Sequence, residues 1–240
     1  MKELPIIFKG EMIPHVIDGH KTQTRRVITK WHGPGCPSGN GANKHGYNVV
    51  AGNKIKRVPW TSEKIEEMVA CPYGKPGDLL YVRENFCLVD IYGNGKLRQE
   101  EYFDDGKLKN ECFIYFQATD QDDSRVQMFK GDIKWRPSIH LPKLMARIWL
   151  ENKGVRAVKL QSMSYYDWVA DFCPSFGEQE RALETFRGSA NRMKMAKAFW
   201  DRINSKRSPW DDNDWVWAIT FELKSVDGRD SFTTENLEEK

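Results

Sequence analysis

The chain has 240 residues, 40% of them hydrophobic and 30% charged, with a formal net charge of +3. That composition fits a folded, water-compatible protein with one sizeable core or two small ones, and the charge is too mild to announce a nucleic-acid protein by itself. No apolar run approaches the about 20 residues that a membrane-spanning helix needs, and Met1 to Phe8 is too short, without a small-residue cleavage site, to be a secretory signal. A cytoplasmic home and no membrane partner are the expectations. The five cysteines, Cys36, Cys71, Cys87, Cys112 and Cys173, are odd in number and contain no C-x-x-C pair, which argues against a disulfide framework.

Leu4 to Phe8 is a short apolar run with the look of a first strand. Glu11 to Asp18 spaces Met12, Val16 and Ile17 as a helix does, and Gly19 follows as its stop. Thr22 to Ile28 is rich in β-branched residues and leaves that turn as a strand. The segment from His20 to Lys30 holds Lys21, Arg25, Arg26 and Lys30 with no acid, and Lys54, Lys56 and Arg57 form a second basic group. Charge runs of this kind are commonly solvated faces.

Between Gly33 and Asn53 the texture becomes irregular, dominated by Gly, Pro, Asn and Lys. One helix is expected at Thr61 to Val69, with Thr61 or Ser62 as its N-cap. Lys75-Pro76-Gly77-Asp78 is a strong turn signal, and Leu79 to Val89 alternates as one strand. Asp90 to Asn110 reads as an extended hairpin or mobile loop. Glu111 to Ala118 reads as another strand, with Phe113, Tyr115 and Gln117 on one face. Trp135 to Pro142 cannot be regular, because each proline lacks a donor and restricts its predecessor.

Ala146 to Leu150 and Val155 to Leu160 are expected as two strands around a turn at Glu151 to Gly154. Ser164 starts a helix through Asp167, Trp168 and Asp171. A stronger helix spans Asn191 to Ile203, with Met195, Phe199, Trp200 and Ile203 at core spacing. Trp215 to Leu223 is a final strand. Six or more short strands with a few helices indicate an α+β barrel. It would be one domain over 1–226, with insertions at about 31–75 and 90–110 and a disordered tail at 227–240.

The run Gly19-His20-Lys21-Thr22-Gln23-Thr24-Arg25-Arg26 resembles the ASCH family, a branch of the PUA-like barrels. Lys75 to Glu84 is similar to the family's turn and strand. Trp135 to Pro142 and Trp215-Val216-Trp217 are similar to a larger subgroup common in phages and prophages. The resemblance implies a small closed β-barrel with flanking helices, long loop insertions and a cleft beside the first helix. PUA-like relatives use such clefts for RNA, nucleotides or modified nucleobases, so these are the implied partners, with no cofactor. One compact branch is an acetylcytidine amidohydrolase that uses a lysine, a threonine and a glutamate. These fall on Lys21, Thr24 and, counting from Leu160, on Asp171, where the chain departs from the pattern by one methylene.

Amide hydrolysis needs a nucleophile, a base and an oxyanion donor. Thr24 would attack or position the water. Lys21 would act as base only if burial and neighbouring cations lower its ordinary pKa of about 10.4 by several units. In the binding-only alternative, Lys21, Arg25 and Arg26 hold a phosphate or carboxylate, and that alternative ranks first. Glu84 is expected to pair with Arg25 or Arg26, and Arg136 and His140 to line the rim. Trp31, Trp60, Trp135 and Trp210 lie in loops where a ring could stack on a base or simply pin an insertion. His32, Cys36, His45 and Cys71 match no compact zinc spacing, so no metal is expected. A third possibility is a phage-borne interaction module whose insertions bind a protein partner.

Overall fold

The computed structural model describes residues 1–28, 47–51, 54–90, 103–104, 107–108, 112–128, 133–172 and 189–229. The expectations for Trp31, His32, Cys36, His45 and Cys173, and for most of the tail, lie outside them. The protein is mixed α+β. Its strands are β1 Glu3–Ile7, β2 Gln23–Val27, β3 Tyr47–Ala51, β4 Lys54–Val58, β5 Leu79–Arg83, β6 Phe86–Asp90, β7 Phe103–Asp104, β8 Lys107–Leu108, β9 Cys112–Phe116, β10 Trp149–Lys159 and β11 Trp215–Ser225. Its helices are α1 Ile13–Ile17, α2 Ser62–Met68, α3 Gln117–Asp120, α4 Ser124–Met128, α5 Tyr165–Phe172 and α6 Ser189–Asn204. The main sheet has five strands in the order β1-β5-β10-β11-β2, and among the described residues it is open. Three two-stranded ribbons accompany it: β3-β4, β6-β9 and β7-β8.

The chain divides into two compact units, and both β10 and β11 run through each of them. The first comprises residues 1–19, 78–151 and 222–240. Here β1 lies parallel to β5, with Glu3 opposite Leu79, and β10 lies antiparallel to β5, with Trp149 opposite Tyr81. The turn Pro76-Gly77 delivers the chain to β5, and Gly77 takes φ +88, a left-handed value that glycine adopts without Cβ strain. Asp78 then accepts a 2.7 Å bond from the Lys2 amide, and Leu79 N donates to Lys2 O. The core of this unit gathers Leu79, Tyr81, Phe86, Leu88, Phe116, Leu141 and Trp149.

The second unit comprises residues 20–77 and 152–221. β2 pairs antiparallel with β11, with Arg25 opposite Ala218 and Thr24 opposite Ile219. Its core joins Leu160, Ala196, Trp200, Trp210 and Val216. Thr61 caps α2 by accepting from the Lys64 amide at 3.3 Å.

Several expectations are corrected. The strand expected over 79–89 is two strands, because β5 pairs with β1 and β10 whereas β6 turns away to pair with β9. The break falls at Glu84-Asn85, where the Asn85 side chain bonds Ser138 N and Gln117. Conversely, the turn expected at Glu151 to Gly154 lies inside the continuous strand β10. Asn152 accepts from Gly77 N and donates to Tyr73 O, while Glu151 pairs with Lys224, so turn-forming residues find extended partners.

Part of the stretch expected to be irregular between Gly33 and Asn53 is strand β3, which pairs antiparallel with β4 just beyond it. The strand expected to reach Ala118 ends at Phe116, where α3 begins. Phe113, on its expected face, is exposed, and Cys112 and Phe116 are the buried residues. On α6, Met195 is exposed and Ala196 and Trp200 face the core, one helical turn apart.

A candidate binding cluster on β2 and α5

α5 forms where Ser164 supplies its cap. Ser164 Oγ accepts from the Asp167 amide at 3.1 Å, and the Asp167 carboxylate accepts from the Ser164 amide at 2.9 Å, a reciprocal capping box. Asp167 and Asp171 are four residues apart and so share one helix face. β2 presents Gln23 and Arg25 to that face, since alternate residues of a strand point the same way. Lys21, just before β2, continues the same alternation.

All of the groups so aligned meet. Lys21 Nζ donates to Asp171 Oδ1 at 2.7 Å and to Asp171 O at 2.6 Å. Arg25 Nη1 donates to Asp171 Oδ2 at 2.9 Å. Gln23 Nε2 donates to Asp167 Oδ1 at 3.0 Å, and Arg25 Nη2 lies 3.7 Å from the same oxygen. Lys21, Gln23, Arg25 and Asp171 are all buried. Burial pushes the Lys21 amine below the ordinary lysine value, Asp171 pulls it back up, and Arg26 and Arg25 push it down again. For Asp167, burial alone would raise the pKa, but hydrogen bonds from Ser164 and Gln23 and the charge of Arg25 hold it below the usual carboxylate value.

Thr24 is buried too, but its alternation turns it to the face of β2 opposite Gln23 and Arg25. Among the described residues no hydrogen bond joins it to Lys21 or Asp171. Arg26 shares the parity of Thr24; burial pushes its guanidinium below the ordinary value, against Tyr73 and Asp171.

The remaining expected residues belong to the first unit. Glu84 is corrected: it accepts two bonds from Arg147, at 2.8 and 3.0 Å, and pairs there instead of with Arg25 or Arg26. The reason is topological, since Glu84 directly follows β5 and Arg147 leads into β10, the antiparallel neighbour of β5. Burial pushes the Glu84 carboxyl up, opposed by Arg147. Arg136 is half-buried, with its backbone bridged to Phe86 in both directions. His140 is exposed on the turn that Arg83 holds through Ile139 O.

Trp60 and Trp210 are buried, which for these two favours pinning over stacking on a ligand. Cys71, Cys87 and Cys112 form no disulfide, and burial pushes the Cys71 thiol up to about 11 and that of Cys87 to about 12, values of unreactive thiols.

Two residues of the cluster carried no assigned role in the sequence, Gln23 and Asp167. Both were within reach: a period of two from Lys21 picks out Gln23 and Arg25, and a period of four from Asp171 picks out Asp167. Among the described residues no helix is long and apolar enough to cross a membrane. No family model, curated protein or solved structure matches the chain.

Proposed function

We propose that the protein is a cytoplasmic binder of RNA, a nucleotide or a modified nucleobase, built on an ASCH-type, PUA-like scaffold, with the β2–α5 cluster as the recognition element. The observation that carries this reading is the burial of Lys21, Gln23 and Arg25 around Asp171 at one strand–helix contact. Buried ion pairs return little net stability, since desolvation offsets the attraction, and apolar replacements are often as good. A contact this polar is therefore better explained by recognition than by packing. Calorimetric titration of the protein with the four ribonucleosides and their monophosphates is the test. At least one should bind, and Arg25→Lys, which keeps a charge opposite Asp171 but loses the planar fork, should weaken it about tenfold. Equal binding by the variant, or no binding by any of the eight compounds, sinks the reading.

The second reading is an amidohydrolase acting on acetylcytidine or a similar acylated nucleoside; the resemblance assigns Lys21, Thr24 and Asp171 to its active group, and of these Lys21 and Asp171 meet while Thr24 lies on the other face of β2. The lowered Lys21 pKa favours it, because only a neutral amine accepts a proton. Turnover would then rise with pH as Lys21 loses its proton, at a pH below the ordinary lysine range, and Lys21→Ala would abolish it. A flat pH–rate profile, or turnover surviving in Lys21→Ala, excludes this chemistry.

A further inference from the structure

The last turn of α1 and the residues after it bring three metal-ligating side chains together. The ligand atoms of His15, Asp18 and His20 lie within 4.8 Å of one another. All three belong to the one stretch 15–20, so α1 and the turn at Gly19 set the arrangement without any long-range contact. His15 and Asp18 are three residues apart and share a helix face. The backbone that carries them is held: the Asp18 amide donates to Pro14 O at 2.8 Å and the Gly19 amide to Val16 O at 3.2 Å. Gly19 then takes φ +70, a left-handed step that turns the chain and leaves His20 beside the helix end.

Nothing else engages these groups. Among the described residues, no hydrogen bond or ion pair occupies the three side chains. His15 and His20 are half-buried and Asp18 is exposed, so an ion can enter from solvent. The cations that follow in the chain, Lys21 and Arg25, are seated on Asp171 at 2.7 and 2.9 Å, which offsets their repulsion of an incoming ion.

We propose that His15, Asp18 and His20 bind a first-row divalent cation of the zinc type, each giving one donor atom. Two imidazole nitrogens and one carboxylate oxygen form a borderline donor set, which suits such ions, whereas calcium and magnesium favour all-oxygen shells. Donors around one zinc sit about 3–3.5 Å apart, so small rotations of the three side chains close the set. Three protein ligands leave a coordination position for water. The absence of a metal was expected from the spacing of His32, Cys36, His45 and Cys71, and the three residues here are a separate set. The inference goes beyond nucleobase binding and does not depend on it.

Calorimetric titration of the full chain with Zn²⁺, after treatment with a chelator, tests the site. One binding event is expected that the double variant His15→Ala with His20→Ala loses. Asp18→Asn should weaken it about tenfold. Mg²⁺ and Ca²⁺ should neither bind there nor displace Zn²⁺, and bound Co²⁺ should show visible absorption bands that Zn²⁺ then removes. None of the three residues is buried, so circular dichroism should show folded variants. Asp18→Asn, isosteric and exposed, keeps the test decisive even if the double variant unfolds. No Zn²⁺ binding by the parent chain, or binding unchanged in either variant, overturns the proposal. Displacement of Zn²⁺ by Ca²⁺ or Mg²⁺ at equal concentration overturns the assigned metal class.

Discussion

Replacing Asp171 with Ala is expected to destabilise the protein by about 3–5 kcal/mol, the usual cost of removing one partner from a buried ion pair. The carboxylate is the common acceptor of Lys21 Nζ at 2.7 Å and Arg25 Nη1 at 2.9 Å, and both cations are buried. Without it Lys21 keeps only the backbone carbonyl of residue 171, and Arg25 keeps Asp167 at 3.7 Å. Urea unfolding followed by circular dichroism measures the loss. The double variant Asp171→Ala with Lys21→Met should recover part of it, because one of the two stranded charges goes with the carboxylate. A single-variant loss under about 1 kcal/mol would mean that water reaches these groups, and the cluster would then be an ordinary surface ion pair.

Trp149→Ala should cost a similar amount, about 3–5 kcal/mol, for a different reason. Trp149 is 1% exposed and sits in the core of the first unit against Tyr81, their rings 5.7 Å apart. Its indole donates to Ala146 O at 2.8 Å, so the ring has no freedom to be anything but a filler of that space. Truncation removes its apolar area and leaves a void that the strand pair β5–β10 cannot close. Trp149→Phe should fall between, losing the hydrogen bond and part of the volume. The same denaturation experiment reads both variants, and a near-neutral Trp149→Ala would contradict the burial described here.

Recognition and stability draw on the same residues in the β2–α5 cluster but not in the Trp149 core. A ligand held by Gln23 and Arg25 should therefore raise the unfolding midpoint through mass action. In Trp149→Ala that ligand-dependent rise should persist on top of a lower baseline, since the residues of that core are not the ones that form the cluster.

Local rules carried far along this chain. The helix stop at Gly19 with φ +70, the Thr61 cap, the Pro76-Gly77 turn and the Ser164 start of α5 all depend on neighbours within four residues, and all are legible in the sequence. So was the basic run at 20–26. Its composition announced charge, but composition is blind to which acid a cation will meet.

Meeting depends on residues 63 to 150 positions away. Lys21 finds Asp171, Arg25 shares it, and Glu84 finds Arg147 because sheet order places β10 beside β5. The same cause splits 79–89 into two strands and fuses 149–159 into one. A turn-prone residue stays extended when its polar groups find distant partners, as Asn152 does with Tyr73 and Gly77. By itself the sequence determined periodicity, caps and the sign of local charge, which short-range sterics and hydrogen bonding decide. Only the tertiary structure decided who pairs with whom, because long-range pairing is set by which strands become neighbours, and no local pattern encodes that.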